Sequence, residues 1–512
     1  MILTEKPATS SRERSLVQLL LEHPATDDQP LVYCGDIELS AGAVRRAAKG
    51  LSDLMRAAGI RPGSVVADLV GGGPRSLVVM YAVWLAGAVY MPCNDRLTDP
   101  EIVQMMEEAP PTLVVGASER LDALGVTAAR IHESGTLGWT AGRDGTDPGH
   151  TYDRDVALVM RTSGTTGRAK AVLLRHSGTL EGLDAILDRI RSGATRTPRD
   201  TRPPTPNLIP VSLALWAGIY NTLFAFRAGA PIVVIERFST DGFRQVVGQF
   251  DIRSTVLAPA MITMLNDDPA IEDLKPLRFV RSITAPLRKE EAERFFARFS
   301  IPVLNSYGQT ELGGEVVGWT AADVREFGAS KLGSVGRPHG GVGIEVRGGD
   351  GSLLGPDEPG EIWVHSPFLM RGYATDTDAL SDRLSEEGFL RTGDIGSVDA
   401  DGFLWIHGRE SDMINRGGMK VSPEEVEEVL VGHPDVVDAC VAGIFDARLG
   451  EVPFAWVVPG GRFDPGGLAE WCRQRLAPYK VPVGFEVIDT VPRSDIGKVL
   501  RRSLASGRQS AT

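Results

Sequence analysis

The chain has 512 residues, of which 42% are hydrophobic, and carries a formal net charge of −13. Its length suggests two to four hydrophobic cores. Its net negative charge argues against nucleic acid or an anionic membrane as the main binding partner. Its four cysteines lie far apart with no CxxC pair, which favours neither a zinc site nor a disulfide framework and predicts a reducing, cytoplasmic location.

No stretch has the pattern of a targeting or membrane segment. The first 23 residues lack a basic lead, a long apolar run and a small-residue cleavage site, so we predict no signal peptide. The apolar stretches 76–93 and 211–235 are interrupted by Ala-Gly steps or by proline. Each predicts a buried helix, a tight turn and a buried strand rather than a membrane span.

The predicted elements alternate through the first part of the chain. Over residues 31–115, helical patterns separate short β-branched runs, and the same alternation recurs over 208–305. Strands separated by helices imply βαβ units and parallel sheets, so we predict an α/β fold class with two lobes. After residue 330, short strands divided by glycine-rich turns predict a small antiparallel β-barrel or sheet. A compact tail of helices and strands begins near residue 411, where Ser422 opens a capping box.

The stretch RTSGTTGRAKAV, residues 161–172, has the composition of a loop that wraps an anion. It follows the apolar run DVALVM, and ligand loops commonly follow strands in α/β sheets. A Walker A loop has its lysine directly after the last glycine. Here Arg168 and Ala169 separate Gly167 from Lys170, so an ordinary P-loop is disfavoured. For this loop taken alone, the alternative is a Ser/Thr-rich surface turn. The candidate phosphate-binding residues are Thr162, Ser163, Gly164, Thr165, Thr166, Gly167 and Lys170.

Three further stretches follow this loop along the chain. They are NSYGQTELGG (305–314), RTGDIGSVDADGFLWIHGRESDMINRGGMKV (391–421) and PRSDIGKVLRR (492–502). With these four stretches in this order, the chain resembles the adenylate-forming (ANL) superfamily, and within it the acyl- and aryl-CoA ligase branch. Any one stretch would be a weak signal, whereas four together make a chance similarity very unlikely.

The resemblance implies an ATP-dependent acyl-CoA ligase. Such enzymes join a carboxylate to the α-phosphate of ATP, release pyrophosphate and pass the acyl group to a thiol. The implied partners are a small-molecule carboxylic acid, ATP, Mg²⁺ and coenzyme A, with a separate carrier protein as the alternative source of the thiol. The resemblance also implies a large N-terminal domain over 1–409 and a small, mobile α+β C-terminal domain over 410–512, with the hinge at Ser411.

The resemblance assigns roles to single residues. Thr310 would contact the α-phosphate and Glu311 would bind Mg²⁺. Asp394 would accept hydrogen bonds from the ribose hydroxyls beside Arg409, and Lys498 would bridge the attacking carboxylate and the α-phosphate. The other candidate nucleotide-binding residues, with Tyr307 against the adenine, are Thr284, Ala285, Pro286, Asn305, Ser306, Tyr307 and Gly308.

Each of these residues also has a plainer interpretation. Tyr307 could be a core aromatic, Asp394 a turn residue, Glu311 a solvated carboxylate and Lys498 part of an exposed basic tail. The joint pattern argues against these interpretations.

Two further sets of residues follow from the resemblance. Asn415, Gly417 and Gly418 would line the tunnel for a phosphopantetheine thiol. Leu213, Leu215 and Trp216 would line the acyl pocket, unless they are ordinary helix core facing away from the ligand. The stretch 210–220 has no carboxylate to pair with an amine, so we expect an apolar acid, aliphatic or aromatic and bulky in some cases.

The chain departs from the usual family pattern at three positions. Relatives usually have proline where Ala169 stands, glycine where Ala171 stands and commonly glycine where Thr284 stands. Such departures leave open an enzyme that performs mainly the thioesterification of a preformed acyl-adenylate. A further alternative is a non-catalytic nucleotide-binding protein, against which the joint presence of Lys498, Glu311 and Asp394 counts.

Overall fold

The computed structural model describes residues 14–94, 96–134, 137–142, 149–162, 170–192, 204–328, 330–375, 378–493 and 499–509. Helices and strands alternate along these ranges. The helices are α1 (Gln18–Leu21), α2 (Ala41–Ala57), α3 (Pro74–Leu85), α4 (Asp99–Glu108), α5 (Ser118–Ala123), α6 (His176–Ser192), α7 (Trp216–Arg227), α8 (Thr240–Gln249), α9 (Pro259–Asp267), α10 (Lys289–Phe299), α11 (Ala321–Phe327), α12 (Asp378–Ser381), α13 (Pro423–Val431), α14 (Pro465–Arg473) and α15 (Arg501–Gln509).

The strands follow the same order. They are β1 (Pro30–Cys34), β2 (Ile37–Ser40), β3 (Val65–Asp68), β4 (Val89–Pro92), β5 (Leu113–Gly116), β6 (Ala129–Ser134), β7 (Gly138–Ala141), β8 (Val156–Thr162), β9 (Lys170–Arg175), β10 (Asn207–Ile209), β11 (Ile232–Val234), β12 (Ser254–Leu257), β13 (Phe279–Ser282), β14 (Val303–Asn305), β15 (Tyr307–Gln309), β16 (Gly314–Gly318), β17 (Arg337–Pro338), β18 (Gly343–Arg347), β19 (Gly360–His365), β20 (Gly372–Tyr373), β21 (Leu390–Val398), β22 (Leu404–Arg409), β23 (Ile414–Arg416), β24 (Met419–Val421), β25 (Val436–Asp446), β26 (Gly450–Pro459) and β27 (Phe485–Val487).

The first predicted lobe is an eight-stranded sheet in the order β20-β9-β8-β4-β3-β5-β6-β7. Its central strands β3, β4 and β5 are parallel and fully buried, because helices cover them. Helix α2 begins where the Ser40 hydroxyl accepts a hydrogen bond from the backbone N–H of Ala43 at 3.2 Å, and it buries Val44, Leu51 and Met55 on one face. These features confirm the predicted α/β alternation.

The second predicted lobe contains two smaller sheets. Strands β12, β13 and β14 pair in parallel, and strands β10, β11, β1 and β2 form a four-stranded sheet in that order. The stretches 76–93 and 211–235 resolve into helix–turn–strand units, as predicted. No helix among the described residues is long and apolar enough to span a membrane.

Antiparallel strands follow, as the glycine-rich turns predict. Strands β18, β19, β21 and β22 form a four-stranded sheet in that order, and β15, β16 and β17 form a three-stranded one. Beyond Arg409, strands β23 to β27 form a separate sheet that packs against α13 and α14. Helix α13 begins at the predicted N-cap, where the Ser422 hydroxyl accepts from the backbone N–H of Glu425 at 3.3 Å. The other half of the predicted capping box does not form among the described residues, because the Glu425 carboxylate pairs with Lys480 Nζ at 2.6 and 2.7 Å.

Candidate active site

Two parallel strands end side by side where the sequence predicts the adenine contact. The last residues of β13 and β14, Ser282 and Asn305, are partners in the sheet. The backbone N–H of Ser306 donates to the carbonyl oxygen of Ser282 at 3.3 Å. The candidate segments 284–286 and 305–308 therefore meet at the carboxyl edge of this sheet, where ligands bind in α/β folds.

Thr284 has a φ of 76°, in the left-handed region. A β-branched residue rarely adopts this conformation, which glycine adopts freely. The glycine that relatives commonly have at this position would therefore be unstrained, whereas Thr284 holds the turn at a cost on the order of 1–3 kcal/mol. Threonine in place of glycine at position 284 therefore adds backbone strain to this loop.

Asp394 is the centre of a hydrogen-bonded cluster that joins three motif segments. Its Oδ2 accepts from the Tyr307 hydroxyl at 2.7 Å and from Gln309 Nε2 at 2.6 Å. Its Oδ1 lies 3.0 Å from Arg409 Nε, because Asp394 on β21 is the sheet partner of Arg409 on β22. The carboxylate is only 4% exposed. The structure therefore brings Tyr307, Asp394 and Arg409 together, and adds Gln309, which the sequence analysis did not single out.

The electrostatics of this cluster follow from its burial. Burial raises the pKa of Tyr307 well above its ordinary value, and the Asp394 carboxylate adds to that effect. Burial alone would lower the pKa of Arg409, but Asp394, Tyr307 and Glu311 together raise it. Arg409 is therefore a permanent cation between two acidic motif residues.

Glu311 lies in a short 3₁₀ helix, Thr310–Leu312, directly after β15. Its carbonyl oxygen accepts from the backbone N–H of Met370 at 3.0 Å, and its Oε1 lies 3.5 Å from the Tyr373 hydroxyl. That hydroxyl also accepts from Arg383 Nη1 at 2.7 Å. Lys170 Nζ lies 4.6 Å from the centre of the Tyr373 ring. Two cations and a carboxylate thus surround one buried tyrosine, an arrangement suited to a phosphate chain with a divalent cation.

Tyr373 and Arg383 were missed by the sequence analysis. Tyr373 lies on the two-residue strand β20, opposite Val172 of β9, so its position beside the phosphate loop depends on a sheet contact. Arg383 also donates to the carbonyl oxygens of Arg391 and Thr392 on β21. No local sequence pattern distinguishes either residue from a surface polar one.

Several candidate residues lie outside the described part of the chain. The ends of the phosphate loop are described, since Thr162 and Lys170 are sheet partners and the Thr162 hydroxyl donates to the Lys170 carbonyl oxygen at 3.3 Å. Ala171, a departure from the family pattern, is buried in the core beneath the sheet. The candidates outside the described residues are Ser163, Gly164, Thr165, Thr166, Gly167 and Lys498.

The predicted acyl-pocket residues lie just before α7 and at its start. Leu213 is 3% exposed and packs in the main core, whereas Leu215 precedes α7 and Trp216 is its first residue. The Trp216 ring lies 5.4 Å from that of Tyr220. Trp216 Nε1 and the Tyr220 hydroxyl are buried without a hydrogen-bond partner among the described residues. The aromatic pair of α7 therefore forms a wall near the nucleotide segments, since the Tyr220 ring packs on the backbone of Gly314.

A buried ion cluster lies beside this aromatic wall. Both carboxylate oxygens of Glu315 lie within 3.3 Å of Arg281 Nη1, and Oε1 is 3.1 Å from His339 Nε2. Glu315 is the sheet partner of Gly308, and the Arg281 guanidinium lies 5.9 Å from the Phe224 ring centre. Burial alone would raise the pKa of Glu315, but Arg281 and hydrogen bonds from His339 and Ser306 lower it to about 2. Sequence analysis described this region only by its apolar residues.

The predicted hinge and thiol tunnel lie at the surface. Ser411 is exposed within the 3₁₀ helix Glu410–Asp412, directly after β22. Asn415, Gly417 and Gly418 are exposed in the β23–β24 hairpin, where Asn415 Oδ1 accepts from the Gly418 backbone N–H at 3.0 Å. Among the described residues, no hydrogen bond or salt bridge joins this hairpin to the Asp394 cluster. Its glycines have φ values of 59° and 92°, which explains why the turn needs them.

No group of three or more His, Cys, Asp or Glu side chains that could hold a metal ion occurs among the described residues.

Comparisons with known proteins cover both parts of the chain. A family model described as AMP-binding enzyme matches residues 22–374, and one described as AMP-binding enzyme C-terminal domain matches 425–498. The chain is 31% identical to a feruloyl-CoA synthase from an Amycolatopsis species, covering 91% of this chain and 93% of that protein. It is 30% identical to a fatty acid–[acyl-carrier-protein] ligase from Streptomyces coeruleorubidus, covering 93% and 92% respectively.

Among solved structures, the O-succinylbenzoate coenzyme A synthetase from Bacillus subtilis in complex with ATP and a magnesium ion is similar to this fold. The TM-score is 0.81 at 26% identity, covering 95% of this chain and 99% of that one.

Proposed function

The chain belongs to the adenylate-forming superfamily of AMP-binding enzymes and is an AMP-forming acid–thiol ligase, and we propose that it activates a monocarboxylic acid whose acyl group is apolar and uncharged, and transfers that group to coenzyme A. The observation that carries this proposal is the Asp394 cluster, with Glu311, Lys170 and Arg383 beside it. In this proposal Asp394 binds the ribose, and Glu311, Lys170 and Arg383 lie on the side of the phosphate chain.

Asp394 has one acceptor site to spare for the ribose. A carboxylate has about four lone-pair sites. Among the described residues, Oδ2 accepts two hydrogen bonds and Oδ1 lies against Arg409 only. Oδ1 can therefore accept a ribose hydroxyl while Tyr307, Gln309 and Arg409 hold the carboxylate in place.

In the first half-reaction, an oxygen of the acid's carboxylate attacks the α-phosphate, the new O–P bond forms and the bond to pyrophosphate breaks. Lys170 and Arg383 would hold the departing β- and γ-phosphates, and Thr310 would contact the α-phosphate. Mg²⁺, held by Glu311 and the phosphates, would neutralise phosphate charge. Lys498 would stabilise the charge that develops between the carboxylate and the α-phosphate. In the second half-reaction, the thiol of coenzyme A attacks the acyl carbonyl and AMP leaves.

The ion pair beside α7 favours an acid whose acyl group carries no second charge. Arg281 is already paired with Glu315, so this cluster has no free positive charge for a second carboxylate. Leaving either member of a buried pair unpartnered costs several kcal/mol, which disfavours a ligand that competes for it. The aromatic rings of Trp216, Tyr220 and Phe224 supply apolar contact area.

The test is a panel of acids incubated with the protein, ATP and Mg²⁺, with release of pyrophosphate as the readout. We expect release with aryl acids or fatty acids, little release with dicarboxylic or α-amino acids, and acyl-CoA formation when coenzyme A is added. If a phosphopantetheinylated carrier protein accepts the acyl group and coenzyme A does not, then the carrier protein is the thiol substrate. If a thioester forms only from a supplied acyl-adenylate, then the enzyme performs the second half-reaction and not adenylation. Absence of both half-reactions with every acid would refute the proposal.

Arg383→Gln is expected to raise the KM for ATP about tenfold, because one charged contact to the phosphate chain is worth about 1.4 kcal/mol or more. The KM for coenzyme A should not change. Arg383→Lys, which retains the charge, should recover part of the loss. Arg473→Gln, which removes an exposed guanidinium paired with Glu470, is the control. An unchanged KM for ATP in Arg383→Gln would contradict the role of this residue.

A further inference from the structure

The ion pair beside α7 belongs to a longer chain of buried polar groups. His339 lies between Glu315 and Arg189: its Nε2 is 3.1 Å from Glu315 Oε1, and its Nδ1 is 3.2 Å from Arg189 Nη1. An arginine can only donate hydrogen bonds, so Nδ1 of His339 is the acceptor and Nε2 carries the proton that it donates to Glu315. A neutral histidine and the Arg281 guanidinium therefore hold the same carboxylate.

Arg189, on α6, is fixed by the segment of the chain that carries His339. Its Nη1 donates to the carbonyl oxygens of Arg337 and Pro338 at 2.6 and 2.9 Å, and its Nη2 donates to Asp323 Oδ2 at 3.1 Å. These contacts fix the position of the His339 ring. Glu315 therefore cannot turn away from Arg281 without losing a buried hydrogen bond, which is costly in a low-dielectric interior.

The Arg281 guanidinium lies against the aromatic wall of α7, and its side chain is partly exposed. Tyr220 belongs to the same wall, because a Cβ atom at Gly314, the residue before Glu315, would lie only 2.7 Å from Tyr220 Cε2. Burial is the main cause that raises the pKa of the Tyr220 hydroxyl, Glu315 raises it further and Arg281 lowers it. Both charges therefore act at the wall against which the proposed acyl group would pack.

Arg281 has free hydrogen-bond donors, although its charge is already neutralised. Among the described residues, its Nη1 bonds to Glu315, whereas its Nη2 and Nε make no hydrogen bond. A guanidinium binds a carboxylate best through two parallel N–H groups, so this free edge suits a second carboxylate. Such a group would lie beside Glu315, and two carboxylates that share one buried site repel each other. Glu315 thus takes the place of the counter-ion that a dicarboxylic acid would bring.

We infer that Glu315, held by His339 against Arg281, is a specificity-determining residue that excludes dicarboxylic acids from the acyl site. Without the charge of Glu315, Arg281 binds the distal carboxylate of a dicarboxylic acid while the other carboxylate reacts at the α-phosphate. This inference rests on the proposed function, which places the acyl group beside α7. A purely structural ion pair predicts a different result, because replacing Glu315 would then lower stability without admitting a new substrate.

Pairs of acids that differ in one terminal group test this role. Succinate, adipate and terephthalate are compared with butyrate, hexanoate and para-methylbenzoate, which carry a methyl group in place of the second carboxylate. The readout is acid-dependent ATP–pyrophosphate exchange. We expect Glu315→Gln to raise kcat/KM for the best dicarboxylic acid at least about tenfold over the native chain, the effect of one charged hydrogen bond. Glu315→Met, which is also uncharged and of similar length, should show the same gain.

Two controls separate the charge of Glu315 from its structural role. Glu315→Asp keeps the negative charge and should continue to exclude dicarboxylic acids. Arg281→Met combined with Glu315→Leu removes both charges, so it should gain no exchange with dicarboxylic acids. Unchanged kcat/KM for every dicarboxylic acid in Glu315→Gln and Glu315→Met, or an equal gain in the double variant, would overturn the inference.

Binding measured without turnover separates this inference from the proposed function. Isothermal titration calorimetry of each dicarboxylic acid, with α,β-methylene-ATP present, requires no adenylation because the α–β bridge of this analogue does not break. The Kd of the best dicarboxylic acid should be at least about tenfold lower in Glu315→Gln than in the native chain, and unchanged in the double variant. Equal Kd values in the native chain and Glu315→Gln would overturn the inference. If the native chain is inactive with every acid, the proposed function fails, but calorimetry still decides whether Arg281 binds a carboxylate.

Discussion

Glu315→Gln is expected to lower the free energy of unfolding by about 3 kcal/mol at neutral pH. The substitution keeps the shape of the side chain but leaves the Arg281 guanidinium, which is 22% exposed, without its counter-charge. Removing one member of a buried pair costs about 3–5 kcal/mol, because the remaining charge stays desolvated. Unfolding in denaturant, followed by tryptophan fluorescence, measures the difference. Replacing both residues, as Arg281→Met with Glu315→Leu, should recover most of the loss, since no unpaired charge remains.

The same pair predicts a pH dependence. The pKa of Glu315 is about 2 in the folded chain, below its ordinary value of 4.5, so its contribution to stability is complete above pH 4.5 and is lost as the pH falls towards about 2. The difference between the native chain and Glu315→Gln should therefore shrink over this range. Glu470→Gln, which breaks an exposed pair with Arg473, should cost at most about 0.5 kcal/mol. An equally small effect for Glu315→Gln would contradict the buried ion pair.

Local patterns were sufficient to predict the fold class. Strands β3, β4 and β5 are short apolar runs between helices, and such runs predict a parallel sheet because both of its faces must be covered. The N-cap at Ser422 was predicted correctly, since its hydrogen bond joins residues within one turn. The reciprocal bond of the predicted capping box is replaced by a contact of Glu425 with Lys480, a residue too distant in sequence for a local pattern to predict. The domain boundaries and the roles of single residues stay predictions.

Contacts between distant segments were not predictable. Arg281 lies on β13, Glu315 on β16 and His339 directly after β17, and each residue alone has the pattern of an ordinary polar residue. The contact between Glu315 and His339 depends on the register of β16 and β17, which no short sequence window contains. The predicted acyl-pocket residues Leu213, Leu215 and Trp216 therefore gave no indication of the charged groups beside α7.

Lys498→Ala is expected to lower kcat for acid-dependent pyrophosphate release about a hundredfold or more, because a preformed positive charge at the α-phosphate is lost from the transition state. Transfer from a supplied acyl-adenylate to coenzyme A should change little, since no phosphate bond to pyrophosphate breaks in that step. The measurement is the rate of each half-reaction in the variant and the native chain. Arg502→Ala, which removes an exposed cation of the same segment, is the matched control. Full pyrophosphate release by Lys498→Ala would contradict its catalytic role, and equal losses in both half-reactions would indicate a structural one.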